Sequence, residues 1–75
     1  MAQTEAFGEL LRGYRRAAEL TIEDLSSASG VSVRAIGDME RGRSRGPQRR
    51  TVAAFADALG LGPVDRRVLE DAARV

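Results

Sequence analysis

TIEDLSSASGVSVRAIGDMERG, residues 21–42, is the stretch that decides the fold. It predicts two short helices joined by a glycine turn. Thr21 begins the first helix with a pattern like a capping box, in which acidic residues occupy the first turn. Gly30 suits the left-handed conformation that ends a short helix. Ser32 is a good N-cap for the second helix, which Gly42 ends.

Each of these helices is expected to bury one apolar face. The expected inward residues are Ile22, Leu25 and Ala28 in the first helix, Val31 in the turn, and Val33, Ile36 and Met39 in the second helix. Gly37 lies inside the second helix, where glycine costs roughly 1 kcal/mol relative to alanine. Another interaction must therefore favour or tolerate Gly37.

One further helix is predicted before this pair and two after it. The helix before it runs from an N-cap at Thr4 to about Leu20, with apolar residues at helical spacing. A polar, basic loop over residues 42–47 leads to the fourth helix, residues 48–59. The absence of any strand pattern predicts an all-α fold, a compact five-helix bundle.

The fifth helix opens at Pro63, a residue favoured at the first helical position, after Gly60 has closed the fourth. Asp65 suits its first turn. The expected inward residues are Val52, Phe55, Ala56 and Leu59 in the fourth helix, and Val64, Val68, Leu69, Ala72 and Val75 in the fifth.

The composition excludes most catalytic chemistry. The chain has 75 residues, of which 43% are hydrophobic and 4% aromatic, and it contains no Cys, His, Lys or Asn. Zinc fingers, thiol nucleophiles and histidine acid–base catalysis are therefore excluded. We expect no enzyme, no cofactor and no metal site. No apolar stretch approaches the roughly 18 residues of a membrane helix, and a cytoplasmic location is expected.

The basic residues are clustered. The net charge is only +1, but six arginines and two acids give residues 34–50 a net charge of +4. Such a cluster is typical of a surface that binds a polyanion. The use of arginine without any lysine is explained by codon bias in a GC-rich genome, which does not explain the clustering.

Residues 21–42 resemble the Cro/repressor-type (XRE) helix-turn-helix family. The matching residues are Leu25, Ala28, Gly30-Val31-Ser32, Ile36 and Glu40-Arg41-Gly42, with Leu11–Arg15 before them and Pro47 and Ala56–Leu59 after them. The resemblance covers nearly the whole chain. It implies a lambda-repressor-like domain of a transcriptional regulator that binds double-stranded DNA sequence-specifically.

The resemblance also assigns roles to residues. The recognition helix, residues 32–41, would lie in the major groove. The base-reading residues implied are Ser32, Arg34, Asp38 and Arg41, from an outward face that also includes Gly37. Arg34 would bind guanine; the alternative is that it touches only phosphate or solvent.

The DNA backbone would be held at two places. Phosphate contacts are implied for Thr21, with free backbone amides at the start of its helix, and for Arg43, Arg45, Arg49 and Arg50 in and after the basic loop, residues 43–50. The alternative is that this loop is solvated and has no partner.

The resemblance also implies one structural ion pair, and the sequence departs from the family pattern at three positions. Glu40 and Arg15 would form a partly buried ion pair that links the recognition helix to the first helix. Ile22 stands where many members have glutamine, while Gly37 and Asp38 replace residues that are commonly polar readers. These departures motivate an alternative function, a protein-interaction module that keeps the fold but reads DNA weakly or not at all.

A narrower resemblance concerns residues 31–43 and 47–61. They resemble the N-terminal helix-turn-helix domain of large actinobacterial regulators, in which an NTPase signalling module follows. We therefore expect residues 1–75 to be one domain from a longer regulator, with further domains of the same polypeptide as partners. The fifth helix offers few apolar residues for an interface, so a monomer is expected in isolation, and dimeric binding to DNA stays open.

Overall fold

Five α-helices and no strand make up residues 3–43 and 47–74, the part of the chain that the computed structural model describes. The helices are α1 (Gln3–Ala17), α2 (Ile22–Ser29), α3 (Val33–Glu40), α4 (Arg49–Leu59) and α5 (Pro63–Ala73). The predicted all-α fold and the order of its five helices are confirmed.

The helix ends follow the sequence signals, except in α1. That helix begins at Gln3, so the prediction that Thr4 is its N-cap is wrong, and it ends at Ala17 rather than near Leu20. The turn after it places Glu19 in the left-handed region, with φ at 60°. Gly30, the expected end of α2, has φ at 80° and is confirmed as its C-cap.

The core lies where all five helices meet. Its buried residues are Phe7 and Leu11 of α1, Leu25 of α2, Ile36 of α3, Val52, Phe55 and Ala56 of α4, and Leu69 of α5. Helix α1 packs against α3 and α5, and α4 packs against α2 and α5. Helices α2 and α3 also contact each other.

Several residues expected in the core are exposed instead. The exposed fractions are 43% for Val33, 75% for Val64 and 39% for Val68, and Ala28 is also exposed. Helices α2 and α3 each have eight residues, so each crosses the core over little more than one turn and fully buries one large apolar side chain. The expectation for Val75 lies outside the described residues.

Two contacts of α1 position the rest of the domain. A Cβ atom on Gly8 would overlap the carbonyl oxygen of Met39 and lie 2.9 Å from that of Glu40, so the backbones of α1 and α3 touch. On the other side of α1, the Tyr14 hydroxyl donates to Asp65 of α5 over 3.2 Å. Burial and this hydrogen bond raise the pKa of Tyr14.

Among residues 3–43 and 47–74, no helix is long and apolar enough to cross a membrane.

Candidate nucleic-acid interface

Hydrogen-bonded caps fix the starts of α2 and α3. The Thr21 hydroxyl oxygen accepts from the Asp24 amide at 2.9 Å, and the Asp24 carboxylate accepts from the Thr21 amide at 3.0 Å. The predicted capping box is therefore confirmed. The Ser32 hydroxyl oxygen accepts from the Ala35 amide at 3.1 Å, which confirms Ser32 as the N-cap of α3.

The capping box limits which groups at Thr21 can bind an anion. Its amide is occupied by Asp24, so the expectation of free amides is wrong at Thr21 itself. Within the described part of the chain, the amides of Ile22 and Glu23 form no hydrogen bond. The Thr21 side chain is exposed, and its hydroxyl hydrogen is not used by the cap.

The predicted base-reading residues lie along α3 and its two caps. Ser32 is the N-cap and Arg41 is the C-cap, so the predicted recognition helix, residues 32–41, matches α3 with both caps. Ser32, Arg34 and Arg41 are exposed, and Asp38 is partly exposed. Residues 34, 38 and 41 are spaced to share one face of a helix.

Gly37 was expected on the outward face, and it is buried. The Arg41 side chain covers it: a Cβ on Gly37 would lie 3.4 Å from Nη2 and 3.5 Å from Nη1 of Arg41. Nη2 of Arg41 also donates to Oδ1 of Asp38 at 3.4 Å. The Asp38 carboxylate therefore stands beside a cation, which offsets its repulsion of an approaching phosphate.

Three of the predicted phosphate ligands are exposed arginines at the end of α3 and the start of α4: Arg43, Arg49 and Arg50. Within residues 7–43 and 47–74, neither these three nor Arg34 forms an ion pair. Arg12, Arg15, Arg41, Arg66 and Arg74 each have a carboxylate partner, whereas Arg16 and Arg67 are exposed without one in the same residues. Arg45 lies outside the described residues.

An ion-pair cluster anchors the C-terminal end of α3. Arg15 donates to the Glu40 carboxylate from Nε at 2.7 Å and from Nη2 at 2.9 Å, so the pair expected from the resemblance is present. Burial alone would raise the pKa of Glu40, but hydrogen bonds from Arg15 and Arg12 outweigh it and hold that pKa below its ordinary value. The hydrogen bond to Glu40 in turn raises the pKa of Arg15.

Arg12 is the member of this cluster that sequence reasoning missed. Its Nε donates to Oε1 of Glu40 at 3.3 Å. The signal was available, because residues 12 and 15 are three apart on α1 and therefore neighbours on one helix face. The cluster holds α3 against α1 and leaves the opposite face of α3 open.

Helices α2 and α3, with their capped ends and the glycine turn between them, have the form of a helix-turn-helix. A family model described as a helix-turn-helix domain matches residues 6–69, which is most of the chain. The chain belongs to this helix-turn-helix domain family.

The curated relatives are regulators. The chain is 40% identical over 57 residues to the HTH-type transcriptional repressor RghR of Bacillus subtilis, a match covering 76% of the chain and 42% of that protein. It is 36% identical over 59 residues to the uncharacterized HTH-type transcriptional regulators Mb0023 of Mycobacterium bovis and Rv0023 of Mycobacterium tuberculosis, covering 79% of the chain and 23% of each. The chain thus spans less than half the length of these relatives. No solved structure matches it.

Proposed function

We propose that this domain binds double-stranded DNA sequence-specifically within a transcriptional regulator. The recognition helix, residues 32–41, lies in the major groove, and the basic loop, residues 43–50, contacts phosphates. The observation that carries the proposal is that four of the exposed arginines without an ion pair among the described residues, Arg34, Arg43, Arg49 and Arg50, lie on α3, just after it and at the start of α4. The other two such arginines are Arg16 of α1 and Arg67 of α5.

The arginines after α3 supply affinity that does not depend on sequence. Arg43 follows α3, and Arg49 and Arg50 begin α4, so all three come directly after the recognition helix in the sequence. An arginine without an acid partner binds phosphate with no internal ion pair to break. Arg45, between them in the sequence, completes this set, and Thr21 holds a phosphate at the start of α2 through its hydroxyl and the next two amides.

Base reading comes from the exposed side of α3. Arg34 lies in the first turn of the helix, the part that meets base edges in helix-turn-helix complexes. A bidentate contact from Arg34 to guanine gives about 1–3 kcal/mol of discrimination. Ser32 donates its hydroxyl hydrogen while its oxygen caps the helix, and Asp38 and Arg41 read the next part of the site.

Salt dependence tests the phosphate contacts. If four arginines each neutralise a phosphate, the slope of log K against log salt is about −3.6, and raising salt from about 50 to 200 mM weakens binding roughly 150-fold. Fluorescence anisotropy with a selected duplex and a random duplex measures both slopes. Equal, salt-insensitive signals from the two duplexes contradict the proposal.

Two matched variants separate base recognition from phosphate binding. Arg34→Ala should reduce the preference for the selected duplex, while Arg43→Ala should weaken both duplexes equally and reduce the salt slope by about 1. Arg66→Ala is the control, because Arg66 lies on α5 and pairs with Asp57 at 2.9 Å. Its slope and preference should match those of the unchanged chain.

A second candidate function is a protein-interaction module with weak DNA reading. Its supporting observation is the exposed apolar pair on α5, Val64 and Val68, which lie one turn apart. Chemical-shift mapping separates the candidates. Changes centred on residues 32–43 with DNA support the first, and changes centred on α5 with a protein partner support the second.

Domain organisation and location form part of the same proposal. The greater length of the curated relatives supports a single domain, with residues 21–42 as the helix-turn-helix, within a longer regulator. The proposed location of that regulator is cytoplasmic. In isolation the domain is monomeric, since the exposed valines Val33, Val64 and Val68 offer too little apolar surface for an obligate homodimer interface, which is hydrophobic and buries about 2,000 Å² or more. Sedimentation of the 75-residue chain with and without duplex DNA measures the oligomeric state in each condition.

A further inference from the structure

Gly37 and Arg41 form one structural unit on the exposed side of α3. A Cβ on Gly37 would lie 3.4 Å from Nη2, 3.5 Å from Nη1 and 3.7 Å from Cζ of Arg41. These distances are similar, so the terminal group as a whole covers Gly37. Gly37 itself is buried, and the Arg41 guanidinium is the group that lies over its Cβ position.

The covering side chain remains available to a ligand. The Arg41 side chain is 54% exposed, and Asp38, one turn earlier, holds its Nη2 at 3.4 Å. Within the described residues, the other guanidinium nitrogens of Arg41 form no hydrogen bond. Arg41 is thus restrained at one nitrogen and open at the rest, an arrangement that lowers the entropy cost of a bidentate contact.

An alanine Cβ at position 37 would meet the guanidinium at ordinary contact distance. A longer side chain extends further in the direction of the guanidinium, and we expect it to compete with Arg41 for the same space. That side chain would displace Arg41 and would itself face the groove. The identity of residue 37 therefore decides whether Arg41 lies over this part of α3.

We propose that Gly37 is a specificity-determining residue, which positions Arg41 over α3 so that the guanidinium reads a guanine in the major groove. The inference rests on the proposed function of DNA binding. Gly37 is a positioning residue, since it acts on the base through Arg41. Asp38 assists by restraining the same guanidinium from the side.

Selection of bound sequences from a random duplex pool tests this coupling. Arg41→Ala should reduce the preference for one base over the others at a single base pair by roughly 5- to 150-fold, the range for one bidentate contact. Gly37→Leu should lose the preference at that same base pair. The double variant should lose no more than Arg41→Ala alone, because both changes remove the same contact. Gly37→Ala is the matched control and should keep most of the preference.

Two further measurements keep the test independent of folding. Circular dichroism and urea unfolding establish that Gly37→Leu is folded, and the Arg41 Nε–Hε NMR signal of the free chain should shift in Gly37→Leu while the Arg34 signal does not. Arg41→Lys is a second variant: it keeps the charge but lacks the planar fork. It should lose the same base preference and keep its affinity for random DNA.

The outcomes distinguish this inference from the function on which it rests. If the unchanged chain selects no sequence, the proposed function fails and the inference fails with it. If the unchanged chain selects a sequence and Gly37→Leu leaves the Arg41 base pair unaffected, or adds fully to Arg41→Ala, only the inference is overturned.

Discussion

Arg15 and Glu40 meet in a two-point contact that joins α1 to the last residue of α3. Nε of Arg15 lies 2.7 Å from Oε2 of Glu40, and Nη2 lies 2.9 Å from Oε1. The Glu40 side chain is 2% exposed and that of Arg15 is 12% exposed. Nη1 of Arg15 also donates to the Leu20 carbonyl at 3.0 Å, so the same guanidinium holds the turn after α1.

Removing the charge of Glu40 should destabilise the domain strongly. Glu40→Gln leaves the poorly solvated Arg15 against an uncharged side chain, and the loss of one partner of a buried pair costs about 3–5 kcal/mol. Urea unfolding followed by circular dichroism measures the change. Asp57→Asn is the control, because Asp57 pairs with Arg66 at the surface with 72% exposure, and its loss should cost less than about 1 kcal/mol. Equal costs for the two variants would contradict the anchoring role.

The same carboxylate makes stability depend on pH in the acid range. The pKa of Glu40 is lowered in the folded state, so as pH falls the unfolded chain takes up this proton first. The contribution of Glu40 is complete above the ordinary glutamate pKa of about 4.3 and is lost as pH falls through the lowered value. Unfolding curves between about pH 7 and pH 2.5 should show this fall. Glu40→Gln should fall less steeply below the ordinary pKa, and parallel curves for the two proteins would count against the assignment.

The two glycines of α1 should respond oppositely to alanine. Gly8→Ala places a Cβ against the carbonyl oxygens of Met39 and Glu40, and overpacking against a backbone costs about 1–3 kcal/mol. Gly13 has no atom within 4 Å of its Cβ position, so Gly13→Ala should stabilise the helix by roughly 0.5–1 kcal/mol. Thermal and urea unfolding of both variants measure the signs. Stabilisation by Gly8→Ala would show that α1 and α3 separate easily.

Glu19 offers a site where glycine should stabilise the chain. Its φ of 60° is a left-handed conformation that costs a residue with a side chain about 1–2 kcal/mol. Glycine avoids this cost, but its greater conformational freedom in the unfolded chain cancels part of the stabilisation. We expect Glu19→Gly to raise the free energy of unfolding by about 0.5–1 kcal/mol. Glu19→Ala keeps the strain and serves as the control. Identical unfolding midpoints for the two variants would rule out relief of backbone strain.

Local signals in the sequence predicted most helix ends. The N-caps Thr21 and Ser32 and the turn at Gly30 are set by residues within three positions of each other, so a short window contains the information. The start of α1 was missed by two residues, since a cap at Thr4 would begin the helix at Glu5 and it begins at Gln3, a difference typical of helix ends, which fray. Exposure was harder to predict, because periodicity identifies a face but not how much of a helix the neighbouring elements cover. Val64 is therefore exposed despite its helical spacing.

The site was predictable in its outline and not in its side-chain arrangement. The cluster of arginines and the outward position of Arg34 are visible in the sequence, since both follow from composition and helical period. The burial of Gly37 is not visible in the sequence, because it depends on the Arg41 side chain lying back over α3. Arg12 was missed although its spacing from Arg15 on α1 was a signal in the sequence; that it also reaches Glu40 depends on the close approach of α1 and α3 at Gly8.

Helix α3 is attached to α1 at two neighbouring points. The backbone contact at Gly8 and the ion pair at Glu40 both hold the C-terminal end of α3, so the two helices keep one relative orientation. Both contacts join residues within positions 8–40 of this chain. We therefore expect the proposed DNA preference to be kept when residues 1–75 are fused to an unrelated effector.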